Sequence, residues 1–502
     1  MAELTRPFPP GSYPVIVIGS GPGGLQVSYS LRRYGVAHAV LSADPSPGGM
    51  FRRWPFFQRL LSWTKPYAPA ERGTPAYERF DWNSLLGEEP ETCAIAPMFM
   101  DGSSYFPSRP EMEANLAAFA ERANLEIRYD CRWTGTRLLD GPDGGDRFAV
   151  ETTDGTYTCG TLVLAVGVAE PYTPPGPGME FAYHYADVRP AETYAGRRIC
   201  IIGKQNSGFE LANGLLPWAR QIILVSPSHA KLSVDTKSLV GVRARYVQPY
   251  EDHVLGGGVS ILDAAIDRVE RTADGALDVR LRRTDGGGDL LVTVDDVISA
   301  TGFVAPLGDL PDLGLATFGA SRLPVVTPWW ESTTLPGVFA AGTLSQAAKG
   351  LQRHGLPANS GAVHGARYNA RVLARHIAET RFGAAIERPS MARGEAVDRL
   401  ATELAEGPDV FHQRGYLARL LTVDPAGGFR DEGIQPLAHI LDAGGADSVA
   451  ATLEADGTGA IYPILFTRKG GSMAEHRIDP DPLARLDASD ARRVIADAIG
   501  RL

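Results

Sequence analysis

The chain has 502 residues, 44% of them hydrophobic and 22% charged, with a formal net charge of −10. This is an ordinary globular composition on a length that suits about three domains, and the negative balance argues against a nucleic-acid partner. No stretch approaches the ~18 apolar residues of a membrane span and the N-terminus has no basic region followed by an apolar run, so the expectation is a soluble protein of the cytoplasm with no membrane partner.

Residues 1–12 read as a loose lead-in. Pro14-Val15-Ile16-Val17-Ile18 then reads as a buried strand, because its four β-branched residues follow without a break. It runs into Gly19-Ser20-Gly21-Pro22-Gly23-Gly24. A helical pattern follows, with Val27, Leu31 and Tyr34 on one face, and a second strand is predicted over 37–41. The glycines stand where a dinucleotide needs them. Gly19 allows the tight turn, Gly21 lets the backbone approach a pyrophosphate, and Gly24 lets the helix pack on the strand. The helix N-terminus then faces the negative charge. An acid for a ribose hydroxyl is expected near Ser42, and Asp44 is the candidate, against the alternative of a plain loop acid.

Residues 45–110 form a long connection, and such connections are usually functional or carry small elements of their own. Its aromatic and basic segments, Gly48-Gly49-Met50-Phe51-Arg52-Arg53-Trp54, Leu61-Ser62-Trp63-Thr64-Lys65-Pro66 and Phe80-Asp81-Trp82-Asn83-Ser84-Leu85, suit a flat, negatively charged ligand. The alternative is a surface insertion packed by its own aromatics. Gly49, Met50, Arg53 and Trp54 are candidates for ligand contact. Residues 110–123 read as a helix with Pro110 in its first turn. A strand is expected over 126–129, and strands over 148–152 and 156–159 flank Asp154-Gly155, a hairpin signal. Residues 161–167 read as a buried strand ending in Gly167 and returning to the first sheet.

The pattern then recurs. A strand over 198–202 meets Gly203-Lys204-Gln205-Asn206-Ser207-Gly208, with a helix over 209–218 and a strand over 221–225. Gln205 replaces the middle glycine, and Gln205, Asn206 and Ser207 are candidate contacts of a second nucleotide. Ser226 follows the strand, with Lys231 after it and no acid between. A 2′-phosphate would be tolerated there, which favours NADPH over NADH; the alternative for Lys231 is a solvated surface lysine. Residues 235–258 look irregular, and 259–297 alternate strands and turns. Val297-Ile298-Ser299-Ala300-Thr301-Gly302-Phe303 closes the second unit, with Thr301 and Gly302 as candidates. Val338-Phe339-Ala340-Ala341-Gly342-Thr343 is expected in the first sheet, presenting Gly342 and Thr343. Gly361 precedes a helix that begins near His364 and runs through 377, and its N-terminus suits a developing negative charge.

From 388 the character changes. Residues 388–408 look helical, and 449–456 and 461–468 flank Gly457-Thr458-Gly459 as a hairpin. This part reads as a small appended α+β unit, a lid or an oligomer contact, with no residue assigned a role. Cys93, Cys131, Cys159 and Cys200 are far apart with no Cys-x-x-Cys, so neither a redox dithiol nor a metal site is expected.

Two nested nucleotide units, a central Ala300-Thr301-Gly302-Phe303 and a late Ala340-Ala341-Gly342 resemble the two-dinucleotide-binding-domain flavoproteins. Asp81-Trp82-Asn83-Ser84-Leu85-Leu86, Gly178-Met179-Glu180-Phe181, residues 203–210 and His364-Gly365-Ala366-Arg367-Tyr368 resemble the class B flavin monooxygenases more closely. Within that group the nearest subgroup contains the endoplasmic-reticulum flavoprotein associated with degradation. The resemblance covers roughly residues 12–380. It implies an α/β fold of two nested Rossmann-like domains in a three-layer ββα arrangement. The FAD domain would be 12–170 with 298–385, the NAD(P)H domain 171–297, and 386–502 a C-terminal α+β extension. It implies FAD in the first unit and NADPH in the second, with Lys65, Asn83 and His364 near the flavin, Arg53 near its phosphates or the substrate, and Lys231 at the 2′-phosphate. The reaction implied is oxygenation of a nucleophilic nitrogen or sulfur of a small molecule by molecular oxygen; the Ala-, Gly- and Arg-rich composition and the lack of a targeting segment suggest a role in secondary metabolism. The chain departs from the group's pattern at Thr343, where many members carry Asp, at Thr64 before Lys65, where they carry Asn, and in the linker Phe181-Ala182-Tyr183-His184-Tyr185. Two rivals are a flavin oxidase or dehydrogenase of an amine- or hydrazine-like substrate, and a non-catalytic redox-sensing or scaffold flavoprotein.

Overall fold

A computed structural model describes residues 6–54, 59–140, 145–479 and 488–502. Residues 1–5 of the expected lead-in lie outside the described residues. The chain forms two compact units, one from Met1–Arg52, Ser62–Val168 and Ala305–Leu502, the other from Arg53–Leu61 and Ala169–Val304.

The first unit is built on a four-stranded parallel sheet in the order Val338–Ala340, Thr161–Leu164, Val15–Ile18, His38–Leu41. Val15, Ile16, Val17, Leu162, Val163 and Leu164 are all fully buried. That explains their unbroken apolar runs, because a parallel sheet is covered on both faces. The two later strands return to the first sheet as expected. Helix Pro22–Arg33 opens with proline, which loses no hydrogen bond at that position, and packs against helix Val363–Phe382. Helix Arg109–Arg122 starts at a capping box, in which Ser108 and Glu111 each bond the other's backbone N–H.

Strands Trp133–Leu138, Phe148–Thr152 and Gly155–Cys159 form a separate antiparallel sheet. The hairpin exists, but Thr152 pairs with Gly155, so its two-residue turn is Thr153-Asp154 rather than Asp154-Gly155. Residues 126–129 form no strand. One bridge joins Leu41 to Arg128, and the chain then turns away at Asp130, which has a positive φ of 52°.

The C-terminal part of this unit carries a six-stranded antiparallel sheet, ordered Ser390–Met391, Phe429–Pro436, Leu417–Val423, Ser448–Ala455, Ile461–Lys469, Ser472–Arg477. The expected hairpin is its fourth and fifth strands. Ala418, Leu437, Ile440, Ala450, Tyr462, Ile464 and Phe466 form the core on one side. Helix Arg393–Glu406 lies against it, tied by Arg419, whose guanidinium bonds Glu403 and, at 2.9 and 3.0 Å, both oxygens of Asp431.

The second unit has a seven-stranded sheet. Strands Val259–Arg271, Gln221–Ser226, Arg198–Ile202, Asp296–Ser299 and Tyr183–His184 are parallel, and Leu277–Arg283 and Asp289–Val294 extend it as an antiparallel meander. Helix Asn206–Leu215 follows the second glycine turn. The stretch expected to be irregular contains helix Gln248–Leu255, ended by Gly256 at φ 78°. Only Pro249 of that helix is buried, so it has no apolar stripe for the sequence to announce.

Among the described residues no helix is long and apolar enough to cross a membrane.

Arg419→Met should destabilise the first unit by about 3–5 kcal/mol, because it leaves the buried Glu403 carboxylate without its cation and Asp431 with only Arg399. Denaturant unfolding followed by far-ultraviolet circular dichroism measures it.

Candidate functional site

At the first turn four stretches of backbone converge. Gly19 has φ +113°, and a Cβ there would lie 2.5 Å from the carbonyl oxygen of Ala165. A Cβ on Gly24 would lie 1.8 Å from the oxygen of Gly19, and one on Gly23 2.4 Å from the Cα of Gly342. Gly49 approaches from the turn Gly49–Arg52, where a Cβ would lie 3.0 Å from the Cα of Gly21. Gly48 N–H donates to the carbonyl of Ser20 at 3.1 Å. Gly19, Ser20, Gly21, Pro22, Gly23, Gly24, Gly49 and Gly342 are thus brought together. Met50 follows in the same turn as Gly49, and Thr343 begins the turn after Gly342. Gly167 lies just past Ala165, at φ 70°. Gly361 meets only the far end of Gln346, at 2.9 Å.

No side chain caps helix Pro22–Arg33, and its N-cap is Gly21. Its first N–H groups and the positive end of its dipole therefore face outward from a bare backbone. At the end of strand His38–Leu41, Ser42 Oγ lies 2.7 Å from Ser20 Oγ and accepts from Asp44 N–H at 3.2 Å. Asp44 is displaced from the strand end and sits 3.9 Å from Arg52.

The inserted segment after Ser62 supplies an aromatic stack. Trp63 stacks on Trp82 at 3.6 Å, and Trp82 stacks on His364 at 4.1 Å. Asn83 is fully buried within the segment. Its amide donates to Thr64 Oγ1 at 3.0 Å and accepts from Ser62 Oγ at 2.5 Å. Asp81 accepts from Thr64 and from the N–H groups of Asn83 and Ser84, which closes the net. The side chain of Asn83 is therefore committed to holding the segment's shape. Lys65 is exposed, while its backbone N–H donates to Phe80 at 2.9 Å. Of the three, His364 alone stands in the aromatic stack.

The C-terminal extension, given no role by the sequence, contributes to this region. His412 meets His364 edge-on at 5.2 Å and Trp82 at 6.0 Å, and lies parallel to Tyr368 at 5.6 Å. Its Nε2 donates to the carbonyl of Glu78 at 3.0 Å, and burial holds its pKa well below the usual histidine range. Burial pushes the Glu78 carboxyl up, and that carboxyl accepts from Tyr368 Oη at 2.8 Å. Arg367, buried, donates to the carbonyls of Ser84, Asp81 and Glu78, tying helix Val363–Phe382 to the insert. No local motif marks His412, because it reaches the site only through the extension's fold.

The second turn repeats the first. Gly203 has φ +115° with a Cβ 2.4 Å from the oxygen of Ala300, and a Cβ on Gly208 would lie 2.1 Å from the oxygen of Gly203. Gln205 caps helix Asn206–Leu215 without a side-chain bond and is exposed. Asn206 clamps the following loop, donating to Leu239 and Gly241 and accepting from Arg243 N–H at 3.0 Å. Ser207 opens the helix beside it. Ser226 Oγ donates to Ser228, and Lys231 is exposed. No acid lies between Ser226 and Lys231 in the sequence, but one is brought in from a distant strand. Asp263 stands opposite Ser226 on the neighbouring strand, where it pairs with the buried Lys204 and with His229. It was missed because only the pairing of two distant strands brings it there.

Thr301 Oγ1 donates to the Tyr172 carbonyl, and the Gly302 carbonyl accepts from His184 Nε2 at 2.9 Å. His184 Nδ1 accepts from Ala186 N–H at 3.1 Å, so this imidazole is neutral and structural, with its pKa lowered by burial. Trp54 is buried 4.8 Å from Phe303, with the exposed Arg53 over its ring at 5.9 Å. All four cysteines are free thiols, and burial raises every one, Cys200 to about 12.

A family model described as pyridine nucleotide-disulphide oxidoreductase matches residues 16–342. The mouse protein named FAD-dependent oxidoreductase domain-containing protein 2 is 27% identical over 395 residues, covering 73% of this chain and 58% of that protein. The chain thus spans little more than half the length of that relative. A ferredoxin–NADP reductase of Ralstonia pickettii is 30% identical over 340 residues, covering 66% of this chain and 80% of the reductase. The solved structure of a flavin-containing monooxygenase from Stenotrophomonas maltophilia has the same fold over 73% of this chain and 98% of its own, at a TM-score of 0.53 and 23% identity.

His412 should make stability fall on acidification. Its folded pKa lies below the unfolded value of about 6.5, so its contribution is complete above about pH 6.5 and is lost as pH falls towards the folded pKa. His412→Gln should flatten the dependence of the thermal midpoint between about pH 7.5 and about pH 5 relative to the unmodified protein.

Proposed function

Because the chain belongs to the pyridine nucleotide-disulphide oxidoreductase family, we propose that it is an FAD-dependent, NADPH-using monooxygenase that oxygenates a nucleophilic nitrogen or sulfur of a small molecule. In this reading FAD occupies the domain formed by 12–170 and 298–385, NADPH visits 171–297, and 386–502 is an extension of the first.

The observation that carries the proposal is the doubled glycine geometry, Gly19 and Gly24 under Ala165 and Gly203 and Gly208 under Ala300. The first turn fits FAD. Its backbone is bare at Gly21, Gly23, Gly49 and Gly342, and the uncapped helix presents N–H groups to a pyrophosphate. Ser42 and Asp44, which follow strand His38–Leu41, are the candidates for the adenosine ribose. The second turn fits a nucleotide held less closely. Gln205 points to solvent rather than across the turn, and Lys204 takes up the charge of Asp263 that would otherwise oppose a 2′-phosphate. Lys231 is the remaining candidate cation for that phosphate.

When bound, FAD supplies hydride acceptance from the reduced nicotinamide and electron delivery to oxygen, and the protein supplies position and dryness. In this reading the Trp63–Trp82–His364 stack, with His412 against His364, serves as the apolar cover of helix Val363–Phe382. His412 is held as a neutral donor and does not itself carry charge at neutral pH. The family's dithiol chemistry is disfavoured, because it needs two adjacent cysteines with accessible thiolates, whereas these four are separated and raised in pKa. A second reading, an oxidase of an amine that inserts no oxygen, draws its support from Gln205 in place of the middle glycine.

Anaerobic stopped-flow mixing with NADPH, followed by oxygen and a panel of amines and thioethers, separates these readings. The proposal expects NADPH alone to bleach the flavin band, and the product to gain one oxygen atom. Bleaching that waits for an amine would support the oxidase. Gly208→Ala should retain flavin while raising the NADPH concentration for half-maximal reduction at least ~10-fold.

A further inference from the structure

The C-terminal extension reaches the first glycine turn through an unbroken chain of buried hydrogen bonds. Gln413 follows the short helix Pro408–His412 and is fully buried. Its Nε2 lies 2.6 Å from Asn369 Oδ1, 3.0 Å from the Gly365 carbonyl and 3.0 Å from Ser360 Oγ. Asn369, buried on helix Val363–Phe382, donates to Ser345 Oγ at 2.9 Å and to Ser360 Oγ at 3.0 Å. Ser345 Oγ in turn donates to the Gly342 carbonyl at 2.7 Å. Gly342 is the residue whose Cα presses on Gly23, where even a methyl group would not fit.

Ser345, Ser360, Asn369 and Gln413 are all buried to within about one per cent. In such surroundings every polar atom needs a partner, and a net of this kind allows few alternative arrangements. Gln413 joins three separate pieces of backbone in it: the turn Asn359–Gly361, the first turn of helix Val363–Phe382 and, through Ser345, the turn starting at Gly342. A hydrophobic side chain would fill the space but specify none of those positions.

We infer that Gln413 is a positioning residue for the FAD cradle, so that the C-terminal extension acts as a structural part of the cofactor site and not as a detachable lid or an oligomer contact. The inference rests on the proposal that the first unit binds FAD. Gln413 touches no reacting atom. It sets where Gly342 stands against Gly23, and through that the depth of the cradle into which the pyrophosphate enters.

The test uses the full-length chain, stripped of flavin and titrated with FAD, together with the midpoint potential of the reloaded protein. Gln413→Met keeps the length of the side chain and removes its donors and acceptor. It should weaken FAD binding at least ~10-fold and shift the potential. Ser345→Ala cuts the same chain at its middle and should act in the same direction. Thr452→Val is the control. It removes a buried hydroxyl that donates to the Leu417 carbonyl at 2.7 Å in the same extension and, among the described residues, makes no hydrogen bond to the side chains of Gln413, Asn369, Ser360 or Ser345. It should lower the thermal midpoint while leaving FAD affinity and potential within about twofold. Unchanged FAD affinity in a folded Gln413→Met would overturn the inference, as would equal weakening by Thr452→Val. If Gln413→Met does not fold, Ser345→Ala decides, and unmodified affinity there overturns it. An unmodified chain that binds no FAD removes the functional proposal and this inference together, whereas tight binding in every variant removes this inference alone.

Discussion

The structure depends on backbone pressed against backbone at two glycine turns. In each, the first glycine adopts a positive φ under an alanine carbonyl, and the helix that follows is packed so closely on the strand end that a methyl group on the last glycine would overlap the first glycine's oxygen. That closeness aims a helix N-terminus at the space beyond the strands, where a parallel sheet places its ligands. The two turns then differ. The first gains two further backbone contacts, Gly21 with Gly49 and Gly23 with Gly342, while the second carries Gln205 at the middle position.

Buried polar groups tie the segments of the first unit together. Arg367 holds the insert by its carbonyls, Asp81 and Asn83 hold it from within, and His412 and Gln413 reach in from the extension. Arg367, His412 and Gln413 each bond a named partner on another segment, so the insert, helix Val363–Phe382 and the extension share one set of constraints. Burial of these groups is costly unless the partners stay in place, which makes the arrangement specific as well as stable.

Much of this was legible in the sequence. The β-branched runs at 15–18, 161–164 and 198–202 announced buried parallel strands, and the glycine spacing announced both turns. The one clear hairpin of the extension, around Gly457-Thr458-Gly459, was also readable from its turn residues. Other features had no local signal. Helix Gln248–Leu255 buries too little to show a stripe, and strand Trp133–Leu138 alternates weakly, with Leu138 exposed. The turn Thr153-Asp154 was misplaced because Gly155 supplies its positive φ from the first paired position rather than from within the loop. Asp263, His412 and Gln413 reach their places through strand pairing and domain packing, which no spacing rule encodes. The resemblance singled out Asn83, but nothing in its spacing announced the bonds to Thr64 and Ser62 that hold the insert's own shape.

The most direct test of the central claim is a crystal structure of the purified protein grown with FAD. The account predicts the pyrophosphate at the N-terminus of helix Pro22–Arg33, against the backbone of Gly21, Gly23 and Gly342, with the adenosine towards Ser42 and Asp44. FAD bound elsewhere on the chain, or a first turn that admits no adenine nucleotide at saturating concentration, would contradict it.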